Sequence, residues 1–314
     1  MDSKFKIQIS IIIPSFNSYK TIGKSIKYIE NQSAYDHIIE IIIVDSSDDN
    51  TTKKLLSGIK NPKLKIIEPG IKVIPAKQRN IGAKNARGEL FCFLDSDVYP
   101  DKNWLKEIIN AYENGWEAGG GSFSIPTYQE KNKIVIAQYY LQLNEFIPRG
   151  KSREKRVIPA GNLFCSRVSF EKSGGYPEIR ASEDSFFSCK LSEIVKLGFI
   201  PTARVYHVFR EDKAGFLTNQ YLLGKFVYIY RRLHYNNFYL KGIFPFLLFP
   251  LFMFVKFMRI FLRIPFNKLN HLIKFIKASP AFIIGLFAWY KGFISASKEY
   301  RNNQHFKSEY EELI

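Results

Sequence analysis

Residues 89–97 read ELFCFLDSD. An apolar run, with Leu90, Phe91, Phe93 and Leu94, ends at once in two carboxylates, Asp95 and Asp97. The run has the length and composition of a buried strand. Side chains two apart in an extended chain point the same way, which would let the pair share one divalent cation. Hard oxygen donors suit Mg²⁺ or Mn²⁺, and such an ion would in turn hold a diphosphate. The same letters have an ordinary reading, a polar strand end with an Asp-initiated turn before Tyr99-Pro100. The neighbouring sequence decides between the two.

Upstream, apolar and β-branched runs begin at Ile7 (IQISIIIPSF), Ile38 (IIEIIIVDSS) and Lys63 (KLKIIEPG). Between the runs lie helical patterns: TIGKSIKYIENQ, DNTTKKLLSGIK and AKQRNIGAKNARG. Downstream, NWLKEIINAYENG predicts a helix with Asp101 as N-cap and Gly115 as stop. This order predicts an α/β fold, a doubly wound and mostly parallel sheet of Rossmann-like type. Such sheets bind ligands beyond the carboxyl ends of their strands, where Asp45, Asp95 and Asp97 all fall. GGGSFSIP, from Gly119, predicts a further strand and KIVIAQYYLQLNEF a helix. PRGKSREKRVIP, almost devoid of apolar residues, predicts a mobile basic loop, and ARVYHVFR another strand.

Lys and Arg number 46 against 29 Asp and Glu, a formal charge of +17 on 314 residues. That excess favours an anionic partner: nucleic acid, an anionic lipid surface or a phosphorylated substrate. Hydrophobic residues at 46% exclude a disordered chain. Cys92, Cys165 and Cys189 lack the spacing of a zinc site or a disulfide framework and read as small apolar residues in a reducing compartment. MDSKFKIQIS passes into a strand without an apolar signal segment, so the N-terminal part is expected in the cytosol.

Five clusters carry candidate chemistry, each beside an ordinary alternative. Pro14, Ser15, Phe16 and Asn17 close the first strand; they could hold a nucleotide or form a plain strand-to-helix turn. Asp45 could accept a base imide N–H, or belong to a capping cluster with Ser47, Asp48 and Asp49. Arg79, with Asn80 beside it, could complement a diphosphate, although Lys77, Lys84 and Arg87 look like a solvated helix face. Glu183 and Asp184 could supply a general base, or simply complement a helix dipole. His207 near a strand end could be structural, or could ligate Mn²⁺.

Taken in order, IIIPSFN, VDSSDDNT, AKQRNIGAKNARGELFCFLDSDV, GNLFCSR, GGYPE, SEDSFF and the later histidine resemble the family-2 glycosyltransferases. These are inverting, nucleotide-sugar-dependent enzymes of GT-A-type fold, and the resemblance covers about the first two-thirds of the chain. It implies a nucleotide pocket at Pro14, Ser15, Phe16, Asn17 and Asp45, with Arg79 and Asn80 close by. It implies that Asp95 and Asp97 act with Mn²⁺ or Mg²⁺ on the donor diphosphate, with His207 as a further ligand. It makes Asp184 the catalytic base, with Glu183 at the acceptor or supporting the base. A UDP-sugar is the favoured donor and a GDP-sugar the alternative. Two departures stand out: Ser46-Ser47 replace a D-D-G pattern, and QYLLGK from Gln220 stands where processive polymerases carry Q-x-x-R-W. The second favours transfer of a single sugar.

The character changes near residue 212, dividing a catalytic domain, 1–211, from a helical region, 212–314. YLKGIFPFLLFPLFMFV and SPAFIIGLFAWYKGFIS each approach the length of a membrane span. The basic spacer between them, including Lys256, Arg259, Arg263, Lys268, Lys274 and Lys277, opposes a simple hairpin by the positive-inside rule. Segments lying in, or re-entering, an anionic cytoplasmic leaflet are therefore expected, with spanning helices as the alternative, the catalytic domain in the cytoplasm and a glycan or lipid-linked acceptor. A polyprenyl-phosphate glycosyltransferase is a near variant. A basic nucleic-acid-binding protein and a non-catalytic membrane scaffold are the readings of another class. The basic residues cluster beside membrane-length apolar runs, so no nucleic-acid partner is expected.

Overall fold

The computed structural model describes residues 6–179, 182–235, 237–264 and 269–303. The first five residues, Lys268 and the polar tail from 304 lie outside the described residues. The chain divides into two compact units, 1–124 with 146–208, and 125–145 with 209–314.

In the first unit β1 (Ile9–Ser15), α1 (Ile22–Glu30), β2 (Ile38–Asp45), α2 (Asn50–Ser57), β3 (Leu64–Ile67), α3 (Pro75–Lys84) and β4 (Leu90–Leu94) alternate as the patterns predict. β1 and β4 are wholly buried, and β2 nearly so, which is why they read as continuous apolar runs rather than alternating ones. α1 turns Ile22, Ser25, Ile26 and Ile29 inward at helical spacing. There follow β5 (Val98–Pro100), α4 (Trp104–Glu113), β6 (Ala118–Ser124), α5 (Lys133–Leu143, in the second unit), β7 (Arg153–Glu154), β8 (Asn162–Ser166), α6 (Arg167–Lys172), α7 (Glu183–Ser192) and β9 (Leu197–His207).

The strands form one sheet in the order β3-β2-β1-β4-β8-β6-β9-β5, with β7 on β9. The β3-β2-β1-β4 half is parallel, as expected. Beyond it β8 runs antiparallel to β4 and β6, while β5 and β7 run antiparallel to β9. The sheet is therefore mixed rather than mostly parallel, because these later strands are not each separated by a crossover helix. β1 lies between β2 and β4, so the chain reverses its direction of travel there, opening a crevice at the carboxyl ends.

Three local expectations change. Asn103, not Asp101, is the N-cap of α4; the Asp101 carboxylate instead accepts from Arg204 at 2.6 Å. The basic loop is partly pinned. Arg153 enters β7 and lies 4.5 Å from the Phe199 ring, and Lys155 lies 4.6 Å from that of Phe146, cation–π contacts that composition does not reveal. The run from Tyr239 is not one span. Pro250 starts a new helix, leaving α9 (Phe244–Leu247) and α10 (Phe249–Phe261) after α8 (Lys213–His234). Thirteen residues of α10 extend about 20 Å, short of a hydrocarbon core of roughly 30 Å.

The second unit ends in α11 (Leu269–Asn302). Over His271–Asn302 it is long and apolar enough to cross a membrane, and 33% of its most apolar window is buried within the protein. It packs on α8 through Lys225–Glu299 at 2.6 Å, Tyr221–Ser295 at 2.8 Å and the Tyr228 and Phe293 rings. Phe246, Leu251, Phe254 and Phe287 of this unit stand exposed.

Candidate active site

The crevice begins with the two loops after β1 and β2. Asp45 is 2% exposed; its Oδ1 accepts from the Ser47 hydroxyl at 2.6 Å, and its Oδ2 has no hydrogen-bond partner. A buried carboxylate oxygen in that state costs free energy until a donor reaches it. Ser47 in turn accepts from the backbone N–H of Asn17 at 2.7 Å. Asn17, left-handed at φ 51°, spends its side chain on Asp48 and Asp49 of the second loop. Its amide thus ties the two loops together. Ser15 shares a hydrogen bond with Ser18 at 2.6 Å. Pro14 is buried beyond the last β1–β4 pair, where its missing N–H breaks no ladder on that side. Phe16 is exposed, with Lys72 4.1 Å from its ring centre.

Arg79, on α3, is the hub. Its side chain is 4% exposed and donates to Asp95 at 2.6 Å and to Glu183, 104 residues later, at 3.0 Å. The Tyr176 ring lies 5.3 Å from its guanidinium carbon. Burial opposes its charge, yet Asp95 and Glu183 hold it firmly protonated. Asn80 does something else: its amide grips Tyr176 through the backbone N–H at 2.9 Å and C=O at 2.8 Å.

The D-S-D segment is a turn, not a strand end: Val98 N–H donates to the Asp95 carbonyl at 3.1 Å. The two carboxylates therefore have different neighbours. Asp95 meets Arg79, while Asp97, 42% exposed, lies 3.9 Å from His207 Nε2. The β5–β9 register causes this by pairing Val98 with His207. Among the described residues no three His, Cys, Asp or Glu side chains converge on a metal-sized point. Asp97 and His207 thus stand together, while Asp95 gives its Oδ1 to Arg79.

Ser182, left-handed at φ 63°, leads into α7 and sets Glu183 and Asp184 in its first turn. Burial pushes both carboxyls above their ordinary values, against the pull of Arg79. Asp184 Oδ1 accepts from Ser185 N–H at 2.7 Å and also feels the charge of Asp95. Three carboxylates thus surround one guanidinium, and the cluster is net negative when ionised.

The sequence reading missed three residues. Gln78 reaches from α3 to the carbonyls of Ser15 and Val44 at 2.7 and 2.8 Å, locking the ends of β1 and β2. Tyr176 stacks on Phe187 at 4.0 Å beneath Arg79. Gly161 leaves room for Asp95, since a Cβ there would lie 2.5 Å from Asp95 Oδ2. Gly161 and Tyr176 stood inside quoted motifs, but nothing in one sequence tells their roles from turn chemistry. Gln78 stood in a pattern that reads as a polar helix face.

A family model described as "Glycosyl transferase family 2" matches residues 10–173. A Methanococcus voltae protein, dolichyl N-acetyl-alpha-D-glucosaminyl phosphate 3-beta-D-2,3-diacetamido-2,3-dideoxy-beta-D-glucuronosyltransferase, is 35% identical over 33% of this chain and 34% of its own length. The Escherichia coli UDP-Glc:alpha-D-GlcNAc-diphosphoundecaprenol beta-1,3-glucosyltransferase WfaP is 27% identical over 53% of this chain and 61% of its own. Both matches span less than two thirds of the relative. Among solved structures, the Pyrobaculum calidifontis mannosyltransferase PcManGT with GDP-Man and Mn²⁺ has a TM-score of 0.61 at 14% identity, covering 96% of this chain and 89% of that one. Staphylococcus aureus TarS 1–349 with UDP-GlcNAc has 0.52 at 16%, covering 95% and 93%. At such identities the likeness is one of fold.

Proposed function

The chain belongs to glycosyl transferase family 2, and from that premise we propose that it is a metal-dependent inverting glycosyltransferase. It moves one sugar from a nucleotide-diphosphate sugar, UDP-linked in preference to GDP-linked, to a hydroxyl of a glycan or lipid-linked acceptor. The observation that carries this reading is the Arg79 bridge, which joins the D-S-D carboxylate Asp95 to Glu183, the neighbour of Asp184.

The charge of the cluster argues for a cation. A donor diphosphate approaching Asp95, Glu183 and Asp184 meets repulsion that one guanidinium does not cancel. Asp97 and His207, an oxygen and an imidazole donor 3.9 Å apart, fit Mn²⁺ in donor chemistry, with Asp95 as a third candidate. When bound, the ion would supply charge neutralisation for the departing diphosphate. Asp45, with its unpartnered buried oxygen, accepts a base N–H; Pro14, Ser15 and Phe16 border that pocket, Asn17 holds its loops, and Asn80 anchors the neighbouring Tyr176 segment beneath Arg79.

The protein's own work is proton transfer and orientation. Asp184 takes the proton of the acceptor hydroxyl as its oxygen bonds to the anomeric carbon and the bond to the diphosphate oxygen breaks on the opposite face. Its raised proton affinity brings it closer to that task. Glu183, held by Arg79, keeps the first turn of α7 in place. The long apolar α11 and the exposed aromatic residues of the second unit support work at a membrane, with the catalytic unit on the cytoplasmic side.

The test is a panel of nucleotide sugars incubated with the protein, with and without Mn²⁺, and assayed for released nucleoside diphosphate. Release that needs both Mn²⁺ and Asp97 is the expected result. No release from any donor, with an acceptor extract present, would remove the enzymatic reading.

A further inference from the structure

One face of α11 changes character along its length. Ile284, Phe287, Lys291, Ile294, Lys298 and Arg301 follow one another at spacings of three or four and so form a single stripe, apolar first and cationic last. An open groove of about 490 Å³ runs along the apolar part, walled by Leu217 of α8 and Phe246 of α9. A second hollow of about 250 Å³ continues it; the two share Phe246 and Ile294, and the second is lined by Lys298, Arg301 and Gly242. The wall is fixed: the Tyr290 hydroxyl donates to the Pro245 carbonyl, and the Phe249 ring lies 4.3 Å from that of Tyr290. The one acidic residue between positions 271 and 303, Glu299, is committed to Lys225 and Ser295.

From Ile284 to Ile294 the helix rises about 15 Å, roughly the hydrocarbon depth of one leaflet, and Lys298 and Arg301 follow about 6 and 10 Å further on. A groove that is apolar over that depth save for Lys291, and basic at its end, matches an amphiphile with an anionic terminus. We propose that it binds a single lipid whose long chain lies between Leu217, Phe287 and Phe246 and whose terminal phosphate or diphosphate is held by Lys298 and Arg301. Two cations side by side suit a phosphate monoester of about −1.5 to −2 charge better than the single charge of a phosphodiester headgroup. The inference deepens the acceptor half of the function proposed above and rests on that reading for its purpose. Its binding test stands apart from transfer.

The experiment uses the full chain in a neutral detergent and titrates farnesyl phosphate, farnesol and inorganic phosphate, read by native mass spectrometry. Farnesyl phosphate should bind more tightly than either half-molecule. The double variant K298E/R301E, altered at exposed positions, should weaken it roughly thirtyfold while leaving farnesol unchanged. Ala288→Trp, which fills the groove, should weaken both, and neither variant should alter binding of a nucleoside diphosphate. Farnesyl phosphate bound no better than farnesol, indifferent to K298E/R301E, or displaced equally well by phosphatidylglycerol would overturn the proposal. Lipid binding that follows these variants in a protein releasing no nucleoside diphosphate would uphold the groove and remove only the enzymatic reading.

Discussion

Phe93 and Phe254 are the same residue in two different economies of contact. Phe93, on β4, is fully buried beside Phe91, Phe170 and Tyr176, whereas Phe254, on α10, is 62% exposed. In the first unit apolar side chains turn inward and charge gathers at one point, around Arg79. In the second, Phe216, Phe282 and Phe293 are buried, but Phe238, Phe244, Phe246, Phe254 and Phe287 face outward. The contrast teaches that the chain's apolar content does two jobs: it builds a sheet core, and it leaves a surface that water alone does not suit.

The broadest way to break that contrast is to remove the second half of it. Deleting everything after Tyr235 should move the protein from anionic vesicles to the soluble fraction, or leave it aggregated through the uncovered face of α8. Any soluble product should still bind the donor. Full-length protein that stays monomeric and soluble without lipid or detergent would end the membrane reading.

Next in size are the carboxylates. Asp184→Asn should lower transfer by about 10²- to 10⁴-fold with nucleotide binding intact, the range for a general base. Asp97→Ala should abolish transfer without unfolding the sheet. Normal turnover in either variant, with Mn²⁺ present, would place the chemistry elsewhere.

Stability separates the units further. Arg79→Leu strands Asp95 and Glu183 and should cost about 3–5 kcal/mol in denaturant unfolding. Phe93→Ala should cost a similar ~3–5 kcal/mol through its cavity. Phe254→Ser should change stability by less than about 0.5 kcal/mol, yet weaken vesicle partitioning by roughly 1.5–3 kcal/mol. Equal unfolding costs for the two phenylalanines would erase the distinction.

The smallest effect is one of pH. Asp184 must be ionised to act as a base, and burial raises its proton affinity. The acid limb of kcat/KM should therefore lie above the ordinary aspartate range of about 3.9, and activity should fall as pH drops through it. The stability contribution has the opposite sign: the folded state binds more protons, so this carboxyl costs stability as pH rises from the ordinary value through the raised one. A limb at or below the ordinary value would mean that Asp184 is not the base.

Much of the first unit could be read in advance. Runs such as IIEIIIVD have only one comfortable home, a strand covered on both faces, and that fixes the β-α alternation. Glu40 inside that run gave no sign of its own role. It accepts from Ser10 at 2.7 Å and from Arg87, and although burial works against it, these partners hold its carboxyl below the usual range. The break before α10 was legible, since Pro250 cannot continue a helix, but the bulky apolar residues on both sides of it masked it.

By itself, then, the sequence determined the α/β alternation, the carboxylates at or just past strand ends and the apolar, basic C-terminal region, because period and composition are local properties. Tertiary structure alone decided that Asp95 and Asp97 part company at a turn, and that Asp97 meets His207 through the β5–β9 register. It also decided that Arg79, on a helix whose Lys77 is solvated, is a buried bridge to a carboxylate 104 positions away. Such a partnership depends on which side chains packing leaves without water. No local pattern records it, because a buried guanidinium and an exposed one are spelled with the same letter.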